Sequence, residues 1–236
     1  MEIGMKIEIC GISKRYGKKT VLRDISFSAE SGKCIGILGG NGCGKSTLLS
    51  ILAGIQKCDG GSFTCYNGES VNDNSASIDL LRDTVARSNL IGYVPQGTPL
   101  IEELTAKDNL SLWYTKEDMK HELEFGVLGM LGIGEFLKTT VSKMSGGMKK
   151  RLSIGCSVSK KPPVLLLDEP MAALDLVCKK SISEYLNHYK ASGGIIIIST
   201  HDVIELGLCD EWYIMKNGVL TPFCYTGDID ELVKNL

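Results

Sequence analysis

Three uninterrupted apolar runs punctuate the chain, and each ends in polar residues. Cys34–Leu38 leads into a glycine-rich stretch, Val164–Leu167 into Asp168, and Ile195–Ile198 into Ser199-Thr200-His201. Runs of this length without alternation fit strands covered on both faces, as in a parallel sheet. Ligands bind at the carboxyl ends of such strands, so the three polar clusters are expected to converge on one site. Elsewhere the pattern alternates. Ile25, Phe27 and Ala29 take turns with Ser26 and Ser28, while Trp212 and Ile214 lead into Lys216-Asn217-Gly218, where Asn-Gly signals a hairpin turn. Both segments predict antiparallel strands at the edge of the core. Between about Gly97 and Lys160 the period lengthens to that of a helix, with Met148, Leu152 and Cys156 four apart. Pro162-Pro163 marks the return to the core. The expected architecture is α/β in one domain: a core of residues 1–96 and 161–236 with a mostly parallel sheet and an antiparallel β edge subdomain, and an inserted helical subdomain at about 97–160.

A length of 236 residues suits one large domain carrying an insertion, and 43% hydrophobic with 23% charged residues is ordinary globular composition. A net charge of −2 offers no electrostatic footprint for a dedicated nucleic-acid binder, which leaves only a local basic patch at Lys149, Lys150 and Arg151. No apolar run approaches the ~20 residues that cross a bilayer, and the N-terminal residues lack the pattern of a secretory signal. The expectation is a soluble cytoplasmic chain whose membrane role, if it has one, comes through a partner. Nine cysteines occur without a Cys-x-x-Cys or a zinc-like Cys/His spacing, and they read as reduced, mostly buried thiols.

Gly39-Gly40-Asn41-Gly42-Cys43-Gly44-Lys45-Ser46 fits G-x-x-x-x-G-K-[ST] in full, after a predicted strand and before a predicted helix at Thr47–Ala53. The core is therefore read as that of a P-loop NTPase. The glycines let backbone N–H groups curl around phosphate oxygens, and the helix N-terminus adds positive potential. Lys45 is expected on the β- and γ-phosphates and Ser46 on Mg²⁺, with Gly39 through Thr47 as the nucleotide-binding stretch. Asp168 would complete the Mg²⁺ shell and Glu169 would polarise the attacking water. Without the loop upstream, the same acidic pair would read as a strand-end cap.

Met144-Ser145-Gly146-Gly147-Met148 resembles the signature loop of ABC ATPases, and the resemblance spans nearly the whole chain. It implies that Ser145, Gly146 and Gly147 touch the ATP held by an opposing subunit. It also implies that Tyr16 stacks on adenine, with a half-buried strand tyrosine as the alternative. Gln96, in Tyr93-Val94-Pro95-Gln96, resembles the glutamine that senses Mg²⁺ and water. Leu104-Thr105 with Asn109-Leu110 resembles the segment that follows it. Ala173-Leu174-Asp175 resembles the loop through which paired subunits communicate, or Asp175 is simply a helix cap. His201 resembles the switch histidine that holds Glu169 and the water. Gly40 replaces a common proline, and Met148 stands where glutamine is frequent. Thr115-Lys116-Glu117-Asp118 superficially matches a guanine-reading motif but reads better as a helix start capped by Thr115.

The resemblance implies an ATP- and Mg²⁺-dependent hydrolase that powers an exporter. It would work as a homodimer or heterodimer with a separate transmembrane permease, peripheral at the inner face of the cell membrane, and without nucleic acid. The alternative is a non-transport ABC ATPase such as one serving cluster assembly.

Overall fold

The computed structural model describes residues 4–66, 77–200, 203–225 and 234. The chain enters as a long hairpin, β1 (Lys6–Tyr16) and β2 (Lys19–Glu30), with Ile7, Ile9, Ile12, Leu22, Ile25, Phe27 and Ala29 buried. Strand β3 (Cys34–Leu38) is buried at every position and passes through the glycine-rich loop into α1 (Lys45–Leu52). Next come β4 (Gly60–Tyr66), β5 (Ser77–Asp79), α2 (Thr84–Leu90) and β6 (Ile91–Val94). Four helices follow: α3 (Ala106–Leu110), α4 (Lys116–Phe125), α5 (Val127–Met130) and α6 (Gly146–Ser157). The chain continues with β7 (Val164–Asp168), α7 (Leu176–Ala191), β8 (Ile195–Thr200), α8 (Val203–Leu206), β9 (Glu211–Lys216) and β10 (Val219–Phe223).

Among the described residues the strands form two sheets. One is antiparallel, in the order β2-β1-β4-β5; the other has six strands, in the order β10-β9-β3-β8-β7-β6. In the second sheet β9, β3, β8, β7 and β6 run parallel, and β10 closes the edge antiparallel to β9. The alternating segment around Trp212 and Ile214 is thus not purely an antiparallel edge: β9 extends the parallel core. The Asn217-Gly218 turn governs only the β9–β10 pairing. Alignment of β9 on β3 comes instead from Asp210, whose carboxylate accepts from Cys34 N at 2.8 Å while its N–H donates to Cys34 O at 2.8 Å.

Burial explains why the three apolar runs became central strands. Every residue of β3, β7 and β8 is buried, and each large aliphatic so covered contributes roughly 1.5–3 kcal/mol relative to exposure. One apolar cluster fills the space between the two sheets and α1; another packs α3, α6 and α7 on the opposite face of the parallel sheet. Residues 106–157 supply four α-helices, two short 3-10 helices (Ile133–Phe136 and Val141–Lys143) and no strand of either sheet.

Lys149, Lys150 and Arg151 do not form a basic patch. Successive helical positions point about 100° apart, and the three side chains go to different places. Lys149 pairs with Glu102 at 3.2 Å, Lys150 is buried, and Arg151 lies over the Phe136 ring and donates to Leu131 O at 3.0 Å. All nine cysteines are free thiols, five of them buried. Burial pushes Cys156 up to about 12, which makes that thiol inert.

Candidate nucleotide site

The parallel register brings the polar ends of the central strands together. Leu38 at the end of β3 pairs with Thr200 of β8, and Asp168 at the end of β7 pairs with Ser199. The glycine-rich loop leaves β3 at this edge. Gly44 caps α1 with φ of 120°, and a Cβ there would stand 2.8 Å from Leu22 Cδ2 and 3.1 Å from Val21 O. Only glycine satisfies both constraints. Helix α1 begins at Lys45, inside the loop and two residues before the start expected from the pattern.

Lys45 is 5% exposed. Its Nζ donates to Gly39 O at 2.7 Å and Gly40 O at 3.3 Å, and lies 3.8 Å from Glu169 Oε1. Gln96 Nε2 donates to Glu169 Oε2 at 3.0 Å. Asn41, Gly42, Gly44, Lys45, Ser46, Thr47, Gln96 and Glu169, with Val21, line one cavity of about 350 Å³. The opposite side of the loop, with Gly40 and Cys43, faces a second cavity of about 650 Å³ flanked by Lys19, Arg23 and Lys216. Asp168 is 2% exposed and accepts from the Ser199 hydroxyl.

Tyr16 stands apart, lining neither cavity. It closes the β1–β2 hairpin opposite Lys19, half exposed, with its hydroxyl on Gln56 Oε1 and the Lys14 ammonium 5.4 Å from the ring centre. Ser145 caps α6, accepting from Met148 N at 3.3 Å; Ser145 and Gly146 are exposed and also line neither cavity. The half-buried Met148 packs against the core. Asp175 caps α7, accepting from Cys178 N at 2.8 Å, and this bond holds its carboxyl below the usual range. Thr115 caps α4 as expected. His201 lies outside the described residues.

Two supporting side chains escaped the sequence reading. Ser199 accepts from Glu169 N at 3.2 Å through the same hydroxyl that donates to Asp168. Glu205, 1% exposed, accepts from Met171 N at 2.7 Å and so holds the turn after Glu169. The polar pair Ser199-Thr200 that follows the apolar run of β8 was a usable signal for the first; nothing in the local pattern marked the second.

The site fits a nucleotide with a hard divalent cation. A Cβ on Gly40 or Gly42 would meet nothing within 4 Å, so the loop opens into free space. Ser46 and Gln96 in the cavity lining, with Asp168 at the adjoining strand end, would offer hydroxyl, carboxamide and carboxylate oxygens, the all-oxygen donors that Mg²⁺ prefers.

A sheet with helices on its faces, a glycine-rich loop opening a helix, and an acidic strand end beside the loop lysine define a P-loop nucleoside triphosphatase. The ABC transporter family profile matches residues 22–172, and the chain belongs to that family: it is an ATP-binding cassette that hydrolyses ATP. The chain is 34% identical over 224 residues to the linearmycin resistance ATP-binding protein LnrL of Bacillus subtilis (strain 168), covering 90% of this chain and 69% of that protein. It is 36% identical over 217 residues to the Nod factor export ATP-binding protein I of Sinorhizobium fredii, covering 90% of this chain and 60% of that protein. Among solved structures, a dimeric ATP-binding cassette in a post-hydrolysis state with ADP and Pi matches with a TM-score of 0.76 at 26% identity, covering 91% of this chain and 96% of the other.

Proposed function

We propose that the chain is the nucleotide-driven motor of a membrane exporter, acting as a homodimer or heterodimer of cassettes beneath a separate transmembrane permease. Its place would be the inner face of the cell membrane. Support for export comes from the relative named for Nod factor export. Among the described residues no helix is long and apolar enough to cross a membrane; the permease would supply the pathway for cargo.

Within one cassette, Gly39 through Thr47 would hold the phosphates and Tyr16 the base. The opposing cassette would contribute Ser145, Gly146 and Gly147, whose N–H groups start α6 and favour an anion. Ser46, Gln96 and Asp168 would hold Mg²⁺, which neutralises charge on the phosphates when bound. Glu169 would take the proton of the attacking water, with His201 and Gln96 holding the carboxylate in place. The division into a core of 1–96 and 161–236 and a helical insertion at about 97–160 would let the two lobes move against each other.

One observation carries the catalytic assignment: Glu169 receives Gln96 Nε2 at 3.0 Å on one oxygen and faces Lys45 Nζ at 3.8 Å with the other. A carboxylate so placed sits between the phosphate lysine and the water-sensing glutamine. Glu169→Gln is expected to bind ATP but turn over about 10²–10⁴-fold more slowly, the usual contribution of a general base. Steady-state hydrolysis with a parallel binding titration checks this. Turnover within a few-fold of wild type would remove Glu169 from the role.

A further inference from the structure

We infer that Lys150 is a positioning residue that ties the helix capped by Ser145 to the loop carrying Gln96, and so couples the two ends of the composite site. The inference rests on the roles proposed above for Gln96 and Glu169.

Helix α6 runs along the exit of β6 and is fixed to it at two levels. Lower down, Ser157 Oγ donates to Tyr93 O at 2.9 Å. Nearer the site, Lys150 Nζ donates to Pro95 O and to Gln96 O, both at 3.0 Å. Lys150 is 5% exposed, an unusual place for an ammonium. Burial pulls its pKa down, and the negative charges of Asp168, Glu205 and Glu169 pull it back up. The buried charge is thus set among the carboxylates of the site, while its hydrogen bonds go to main-chain carbonyls of the Gln96 loop. An aliphatic side chain would fill the space; only a multiple donor grips both carbonyls.

From that grip the contacts run unbroken to the phosphate loop. The Gln96 carbonyl is held by Lys150, its carboxamide holds Glu169, and Glu169 faces Lys45. At the other end, Ser145 lies less than two helical turns before Lys150 on the same helix. A helix transmits displacement along its axis because its rise per residue is fixed. Engagement of the opposing nucleotide at Ser145 would therefore be felt at Pro95 and Gln96 through the ammonium. This is a defined chain of contacts between two positions biased by ligand, which is the physical content of coupling.

The experiment uses the full-length chain with Lys150→Met, Lys150→Arg, Gln96→Ala and the Lys150→Met/Gln96→Ala double variant. Lys150→Met is expected to lower kcat by about tenfold or more while KM for ATP stays within about twofold, the split of a residue that acts after binding. Lys150→Arg, which keeps several donors, should recover most of the loss. In the Gln96→Ala background Lys150→Met should cost nothing further, the non-additivity of residues acting through one another. Without nucleotide, amide exchange over residues 96–98 should quicken in Lys150→Met. Additive losses, a kcat near wild type in Lys150→Met, or a fall in thermal stability that Lys150→Arg does not repair would each overturn the inference. Glu169→Gln assayed alongside separates the failures. If it is slow while Lys150→Met is normal, this inference alone falls; if it turns over at the wild-type rate, the site assignment falls and takes the inference with it.

Discussion

Glu169 leaves β7 with φ of 46°, a left-handed conformation that costs a residue with a side chain about 1–2 kcal/mol. Neighbours hold it there: Ser199 accepts its N–H through both carbonyl and hydroxyl, and Glu205 pins the N–H of Met171 beyond Pro170. Strain kept this way at a strand end aims the carboxylate at Lys45 and Gln96 rather than along the strand. Lys45 shows the complementary case, a buried ammonium resting on two loop carbonyls with the open cavity beside it. Lys45→Ala should weaken ATP binding by about 10- to 100-fold, the range for losing charged hydrogen bonds. A direct titration checks this, and equal affinity in mutant and wild type would refute the role. Lys45 was legible from the pattern of the phosphate loop, and Glu169 from its place after a buried strand in a chain that carries that loop. Lys150 was not, because a lysine among three basic residues looks solvated until packing decides which one turns inward.

The same contrast appears one level up, among the elements. Strands β3, β7 and β8 were readable because burial on both faces demands continuous apolar runs. Strand β6 was missed: four residues with alternating burial carry too little pattern, although the strand positions Gln96. Cap chemistry was more informative. Thr115 Oγ1 accepts from Asp118 N at 3.1 Å and its hydroxyl donates to Asp118 Oδ2 at 2.7 Å, so Thr115 and Asp118, the first and last residues of the guanine-like segment, are spent on starting α4. Thr115→Ala should lower stability by about 1 kcal/mol, as loss of an N-cap does, and leave the preference for ATP over GTP unchanged. Thermal unfolding and competition titrations test the two halves. A changed nucleotide preference would revive the reading that the structure disfavours.

For the whole molecule the question is how two cassettes share a site. Ser145 and Gly146 are exposed at the start of α6 and line neither cavity beside the phosphate loop; in the proposed dimer a nucleotide there would be completed by the opposing chain. The two signature glycines differ in what they tolerate. A Cβ on Gly147 would stand 2.3 Å from Cys178 Sγ, so substitution there disturbs the packing of α6 on α7. On Gly146 it meets only Leu174 Cδ2 at 4.0 Å, and an aspartate at the first position of a helix is favoured by the helix dipole. Gly146→Asp should therefore fold and bind nucleotide at its own loop, yet set a carboxylate against the partner's phosphates, where like charges repel. ATP-induced dimerisation and hydrolysis should both fail. Lys45→Ala should be inactive for the opposite reason, with a sound signature and a crippled loop. A heterodimer of the two keeps one site intact, with Lys45 from the first chain and Ser145 and Gly146 from the second. Mixing two inactive proteins should then return part of the wild-type turnover, scaling with the fraction of heterodimer measured by tagged co-purification. Normal hydrolysis by Gly146→Asp alone would end the shared-site account. Silence from demonstrated heterodimers would mean either that neither site can fire without the other or that the site is not shared.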